Sequence, residues 1–574
     1  MDIAALARLI HHIGGSVKRM ADGAPLGITG TRDPSLTPKG RRLIGKIGIG
    51  LFSVSQLTRH FQIVTKVKGK DYRLVAEVIL RTYTEDTLTK SAAAKLSTTQ
   101  MVETGTVRIV SVHADDASAH GTEVVLMDLR QQARDVLESK EIWDLVTGDP
   151  QGSQAVTPQV RIPSFHIGQV DRSSNKMTRL PRLPWSTEDK PEDRFRKLYQ
   201  SIIDEISATE QNPRLETALD NYLRMLWTLS LSAPVDYIEG HPFDLKKGDD
   251  LALYRLQPGA PGQAKPLALK GSETVREKLA FQAPEHGTSA LPFRVFIDDV
   301  ELLRPIRFRN LPQTSQALKK PVLFVGSAEP DLTKVSPEER GGDLAFEAYF
   351  LWAPKIVPKE NNGLLVRIAD ASGTLFDETF AKYQISELTR LKQITAEIFV
   401  LKGLDAALNI DRESFNYAHP HYQLIMRWVH HALRQIMNTL KQQAADIRSR
   451  AIEAEQTATA ETLEEVVNEE VIRALGDMEA KPADIDISDG GSSLIADERR
   501  RGRLALDAAK VFQPLPKPRR VGRRHDAHLD LFRRQIKAVA QVLDAYGLLD
   551  GLTYDRQEEL LRAIVTIFSV DRDK

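Results

Sequence analysis

Gly45, Gly48 and Gly50 fall within six residues, at spacings of three and two, and they lead directly into a helical pattern that begins at Leu51. A stretch this rich in glycine is a poor helix interior and a poor strand. It suits a turn at the start of a helix, where backbone N–H groups approach an anion without interference from Cβ atoms and the helix end adds partial positive charge. A plain tight turn fits the same three glycines, so the spacing by itself leaves both readings open.

The flanking sequence narrows the fold. Ile3, Leu6, Ile10 and Ile13 recur at helical spacing, and Gly14–Gly45 reads as a long loop bearing Gly, Pro and Ser. After the glycine turn, Leu51 to about His60 has helical character. Phe61–Val67, Tyr72–Leu80, Thr106–Val112 and Glu123–Met127 read as strands. Helix, loop, helix and then antiparallel-looking strands predict an α+β sandwich ending near residue 130.

A chain of 574 residues is too long for one core, so three or four domains are expected. The expected division is a sandwich over 1–135 and an α/β middle region over 155–420. A helical segment over 421–480, linkers over 481–527 and a terminal helical segment over 528–574 follow. In the middle region Asp193–Ile206 and Pro213–Leu231 read as helices, and Phe293–Ile297, Phe346–Leu351 and Leu364–Ile368 as strands. Lys481–Gly491 and Gln513–Arg524 have linker composition. Leu529, Phe532, Ile536, Val539 and Leu543 form an apolar seam, fitting either a dimer helix or packing within its own domain.

Several function classes drop out on composition. The chain has no cysteine, which excludes disulfides, thiolate metal sites and a cysteine nucleophile. Basic and acidic residues number 78 each, so no global field draws the chain to nucleic acid or membrane. Apolar runs such as Pro321–Val325 fall far short of the roughly 20 residues that span a bilayer. Met1–Ile13 is amphipathic and lacks the form of a signal peptide, so a cytoplasmic protein without a membrane partner is expected. His11-His12, His419/His421 and His430-His431 lack the companions of a metal motif, and no metal site is assigned. Arg499–Arg503 and Lys517–Arg524 are basic clusters without interleaved aromatic residues, and solvated linker charge is the preferred reading over nucleic-acid contact.

The decad Ile44–Ser53 resembles the glycine-rich motif G-x-F-G-V-G-F-Y-S of the heat-shock-protein-90 chaperones. These belong to the superfamily of gyrases, chaperones, histidine kinases and MutL proteins. Phe61–Lys66 resembles the strand that follows in that family. Ile13-Gly14-Gly15-Ser16-Val17-Lys18 resembles L-G-T-I-A-K, whose lysine faces the nucleotide phosphates. Gly121–Leu126 is similar to G-T-x-I-x-L, whose threonine lies near the adenine. In the middle region, Ala407–Asn416 is similar to L-N-I-S-R-E-x-L-Q, whose arginine reaches the γ-phosphate. Asp411 stands where serine is usual, and Asn416 where glutamine is usual.

The resemblance implies a Bergerat-type ATP-binding sandwich in an ATP-driven conformational clamp acting on client proteins. It implies nucleotide contacts at Lys18, Gly45, Lys46, Ile47, Gly48, Ile49, Gly50, Leu51, Ser53 and Thr122, with Arg412 catalytic. ATP and magnesium are the cofactors of the family, and a homodimer is a possible assembly. Family members also carry a glutamate that activates water, an asparagine that holds magnesium, and an Asp-x-Gly-x-Gly-Met turn that reads adenine. Here Met1 aligns with the last residue of that turn, and no Glu-x-x-x-Asn followed by Asp-x-Gly occurs nearby. The expectation is a chain truncated at its N-terminus that binds ATP weakly or not at all and is weakly active or inactive as a hydrolase. The alternatives are a nucleic-acid-linked ATPase of the same superfamily and a non-catalytic protein-interaction scaffold. A sensor histidine kinase is disfavoured, because no phospho-acceptor helix precedes the domain.

Overall fold

The computed structural model describes residues 3–11, 23–24, 29–31, 33, 36–38, 43, 50–81, 105–147, 162–171, 173–207, 213–258, 262–283, 293–312, 318–384, 388–409, 414–488, 492–513 and 523–569. The chain forms two compact units, Met1–Thr439 and Leu440–Lys574. Its architecture is mixed α/β with a mixed sheet. Among the described residues no helix is long and apolar enough to cross a membrane.

The first unit opens with helix α1 (Ile3–His11) and a four-stranded antiparallel sheet. The strands are β1 (His60–Lys66), β2 (Tyr72–Leu80), β3 (Gly105–His113) and β4 (Gly121–Met127), in the order β3-β2-β1-β4. The alternation of Phe61 and Ile63 on β1 sends both to one face. Directly opposite them on β2 stand Val78 and Ala76. With Leu74 these residues bury against Leu6 of α1 and form the local core. One covered face and one wet face is the usual economy of an antiparallel sheet, and it keeps β1 in a single register, since a slip of one residue would expose Phe61 and Ile63.

The middle of the first unit is built on a second sheet of β5 (Ala252–Arg255), β6 (Lys265–Pro266), β7 (Val322–Ala328), β8 (Ala345–Trp352), β9 (Gly363–Ile368) and β10 (Ile394–Lys402). Their order is β9-β10-β8-β7-β5-β6. The β9/β10 and β7/β5 pairs are parallel, and the other three pairs are antiparallel. Every residue of β8 is buried. Helices α2 (Pro191–Ser207) and α3 (Asn221–Ser232) share the large core with this sheet through Phe195, Ile202, Leu226, Leu323, Tyr349 and Leu351. Of the expected strand Phe293–Ile297, only Phe296–Ile297 pairs, with Val300–Glu301.

The expected single helix Pro213–Leu231 is broken at Leu219–Asp220 because Asp220 starts a new helix. Its carboxylate accepts from the Leu223 N–H at 2.9 Å and the Ile167 N–H at 2.8 Å, and the side chain is fully buried. Replacing Asp220 with alanine removes the cap and orphans two buried donors, so a loss of about 1–3 kcal/mol is expected by urea denaturation. Burial holds the Asp220 carboxyl above its ordinary range. The folded state therefore keeps the proton to higher pH than the unfolded chain, and the stability this group adds declines as pH rises through that window. The cost of the substitution should accordingly be smaller at pH 7 than at pH 4.

The second unit holds the latter part of helix α4 (Pro420–Leu475), β11 (Ile485–Ser488), β12 (Leu504–Asp507), α5 (Arg523–Ala545) and α6 (Tyr554–Ser569). The Lys481–Gly491 stretch is not only a linker, since Ile485–Ser488 pairs in parallel with Leu504–Asp507 and Ile485 is fully buried. The apolar seam of α5 packs within its own unit. Phe532 and Ile536 meet Leu561 and Val565 of α6, while Ala538 meets Val467 and Val471 of α4.

Candidate functional site

Gly50 opens a 3-10 helix, Gly50–Gln56, that contains Leu51 and the exposed Ser53. This turn is tied to the first sheet at its far end. The buried Thr58 hydroxyl donates to the carbonyl of Met127 on β4, and the Arg130 N–H donates to the Leu57 carbonyl at 2.8 Å. The segment that begins at Gly50 is therefore fixed against the end of β4.

Thr122 sits near the start of that same strand, opposite Thr65 of β1. The two hydroxyls are 3.0 Å apart, with Thr65 buried and Thr122 exposed. Thr65 alternates with Phe61 and Ile63, so the hydroxyl pair lies on the sheet face that α1 covers. Lys18, Gly45, Lys46, Ile47, Gly48 and Ile49 lie outside the described residues.

Arg412 also lies outside them, as does Asp411, but the residues that bracket them are well built. Leu408 and Phe415 form an antiparallel bridge. The Asn409 N–H donates to the Ser414 carbonyl at 3.0 Å, and its amide side chain donates to the Ser414 hydroxyl at 2.7 Å. The Asn416 N–H donates to the Ala407 carbonyl at 2.7 Å, while its side-chain oxygen accepts from the Ala418 N–H at 3.0 Å. Asn416 is thus engaged in closing the start of α4.

The histidines flagged in the sequence serve backbone groups. His421 is fully buried, accepts from the Leu404 N–H at 2.9 Å and meets the Gly342 carbonyl at 3.0 Å. His430 lies 3.0 Å from the Ala381 carbonyl. The side chains of His11 and His12 are outside the description. Among the described residues no group of three His, Asp or Glu is placed to hold a metal ion.

The Arg499–Arg503 cluster is neutralised locally. Arg499 pairs with Glu558 at 2.7 Å, Arg500 with Asp497 at 3.2 Å, and Arg501 and Arg503 with Glu498 at 3.0 and 3.1 Å. The side chains of Lys517–Arg524 fall outside the described residues.

The sequence reading missed a buried charged network. Nε and Nη2 of Arg367 both approach one Glu397 oxygen at 2.5 Å, and the hydroxyls of Tyr237 and Tyr349 donate to the other at 2.5 and 2.6 Å. Beside it Arg304 pairs with Asp370 at 3.0 Å and lies over the Tyr237 ring. Burial and the Glu397 charge hold both tyrosines well above their ordinary range. Arg304, Arg367 and Glu397 are fully buried, so the network holds the sheet together and meets no ligand from solvent. An arginine inside the apolar run Leu364–Ile368 was the available signal. A cleft of about 710 Å³ lies elsewhere in this unit, lined in part by Arg214, Arg224, Met225, Trp227, Lys359 and Glu360. None of its lining residues is a nucleotide contact expected from the sequence.

No family of known proteins matches the chain, and no curated protein matches it.

Proposed function

We propose that the first unit carries the phosphate side of an ATP site in a Bergerat-type sandwich, in an ATP-binding clamp closest to the heat-shock-protein-90 chaperones. Lys18, the amides of Gly45–Gly50 and Ser53 serve the phosphate chain, Leu51 and Thr122 flank the nucleotide, and Arg412 answers charge on the terminal phosphate. The observation that carries the reading is the partnership of three segments. The glycine turn ends in a helical turn at Gly50, this turn feeds β1, and β1 pairs with the strand that begins Gly121-Thr122. An anion held by amides at a helix start needs no further cation, although a lysine strengthens it.

Magnesium finds no protein ligand in this set. A hard cation takes oxygen ligands, chiefly carboxylates, whereas the assigned groups are cations, amides and hydroxyls. Partner proteins and a homodimer follow from the same resemblance. The nucleic-acid alternative draws no support from Arg499, Arg500, Arg501 and Arg503, each of which has a carboxylate partner.

The test is a titration of the 574-residue chain with nucleotides. Affinity should follow the phosphate tail, with ATP above ADP and AMP weakest. A site that hydrogen-bonds a base rejects a wrong base by orders of magnitude. With no adenine-reading aspartate near Thr122 in the sequence, ATP and GTP should bind within about threefold of each other, a difference of under about 1 kcal/mol. Lys18→Ala should weaken both by about tenfold, the loss of one charge-assisted contact. Equal binding of AMP and ATP, or no triphosphate binding, would leave the scaffold reading in possession.

A further inference from the structure

We propose that His421 is a positioning residue, fixing the Leu408–Phe415 stem, and with it Arg412, on the first turn of α4. The role assigned to Arg412 rests on the function proposed above; the clamp itself rests on geometry.

The ring of His421 has both nitrogens committed. Nδ1 accepts the Leu404 N–H, so it carries no proton, and Nε2 must then carry one and donate to the Gly342 carbonyl. A single neutral tautomer satisfies both contacts. The first joins α4 to the segment leading into the stem, and the second joins it to the Gly341–Gly342 turn. The next link runs from Leu404 into the stem. The Ala407 N–H donates to the Leu404 carbonyl at 3.0 Å, and the Ala407 carbonyl accepts from Asn416. Leu408 then bridges Phe415. Phe415 stacks on Tyr422, the next residue of the helix, with ring centroids 5.4 Å apart.

Two backbone features show that the segment has been shaped around this ring. Gly403 has φ of +80°, and a Cβ there would lie 2.4 Å from the Asp343 carbonyl and 2.8 Å from Cε1 of His421. Leu404, a buried residue with a bulky side chain, also sits in the left-handed region at φ of +64°. Such a conformation persists only where its surroundings over-determine it, and it recurs where a segment must be held in one place. The Leu404 N–H bond to His421 is the contact that holds it here.

The experiment uses the full chain and reads amide hydrogen exchange in peptides spanning Leu404–Asn416. His421→Leu removes both polar contacts, and exchange across that segment should quicken by about tenfold or more, while β8 and β10 are unchanged. His421→Asn places an oxygen where Nδ1 stood and should restore most of the protection. His421→Gln, which restores only the donor toward Gly342, should not. Unchanged exchange in the leucine variant, or equal exchange in all three, overturns the proposal in favour of simple packing. Should the leucine variant fail to fold, nitrogen NMR of the wild-type imidazole decides the matter. The Nε2–H tautomer supports the clamp, and the Nδ1–H tautomer or a cation at neutral pH overturns it. A nucleotide arm is separate: if ATP binds better than ADP, His421→Leu should lower that preference as Arg412→Ala does, and the double variant should fall no further. Absence of any nucleotide binding sinks the functional reading and leaves the exchange and tautomer results to judge the clamp.

Discussion

Glu397→Ala is expected to cost about 3–5 kcal/mol, the usual penalty for breaking a buried ion pair from one side. Glu397 is fully buried on β10 and takes hydrogen bonds from Arg367, Tyr237 and Tyr349. Removing its carboxylate leaves the Arg367 guanidinium charged in the centre of the sheet, with only the Leu231 carbonyl at 2.8 Å and the more distant Asp370 carbonyl near it. Two tyrosine hydroxyls lose their acceptor in the same step. The physical claim is that the loss comes from stranded charge rather than from missing attraction. It follows that Arg367→Met combined with Glu397→Met should recover most of the loss, because neither partner is left unpaired. Urea denaturation, followed through the transition of the first unit, reads both variants. A double variant as damaged as the single one would show that the network is needed for its geometry.

How far the sequence foretold this fold depended on how one-sided each element is. The first sheet was legible within two residues at each end: Tyr72–Leu80 matches β2, and Thr106–Val112 lies within β3. Phe61, Ile63, Leu74 and Ala76 alternate because only one face is covered. Ile394–Lys402 and Val322–Ala328 were not read as strands. Both are nearly all buried, so no alternation survives, and Glu397 interrupts the apolar run. In the second unit the Ile485–Ser488 strand was hidden by neighbouring Asp and Gly, whose composition outweighed a short alternation of Ile and Asp. The candidate site was legible as motif alone. Thr122 could be placed because its strand was, whereas the link from His421 to Leu404 and Gly342 spans 17 and 79 residues and leaves no local pattern.

Trp227→Ala should cost about 3–5 kcal/mol, placing it beside Glu397→Ala, but by a different route. The Trp227 ring is buried on α3 and stacks on Tyr199 of α2, with centroids 5.7 Å apart and planes within 12°. Phe195 meets it at 6.3 Å. α2 thus depends on this ring for a large part of its contact with α3, and truncation opens a void that neither helix can close without leaving the sheet. Because the site also borders the cleft lined by Arg224 and Glu360, solvent can enter once the indole is gone, which adds exposure of Tyr199 to the cavity term. Trp227→Phe keeps a stacking partner and should lose less than half as much. The midpoint of the first unit's urea transition should fall with little change in slope. If alanine and phenylalanine prove equally costly, the stack on Tyr199 is not what joins the two helices, and the indole edge must supply the stability instead.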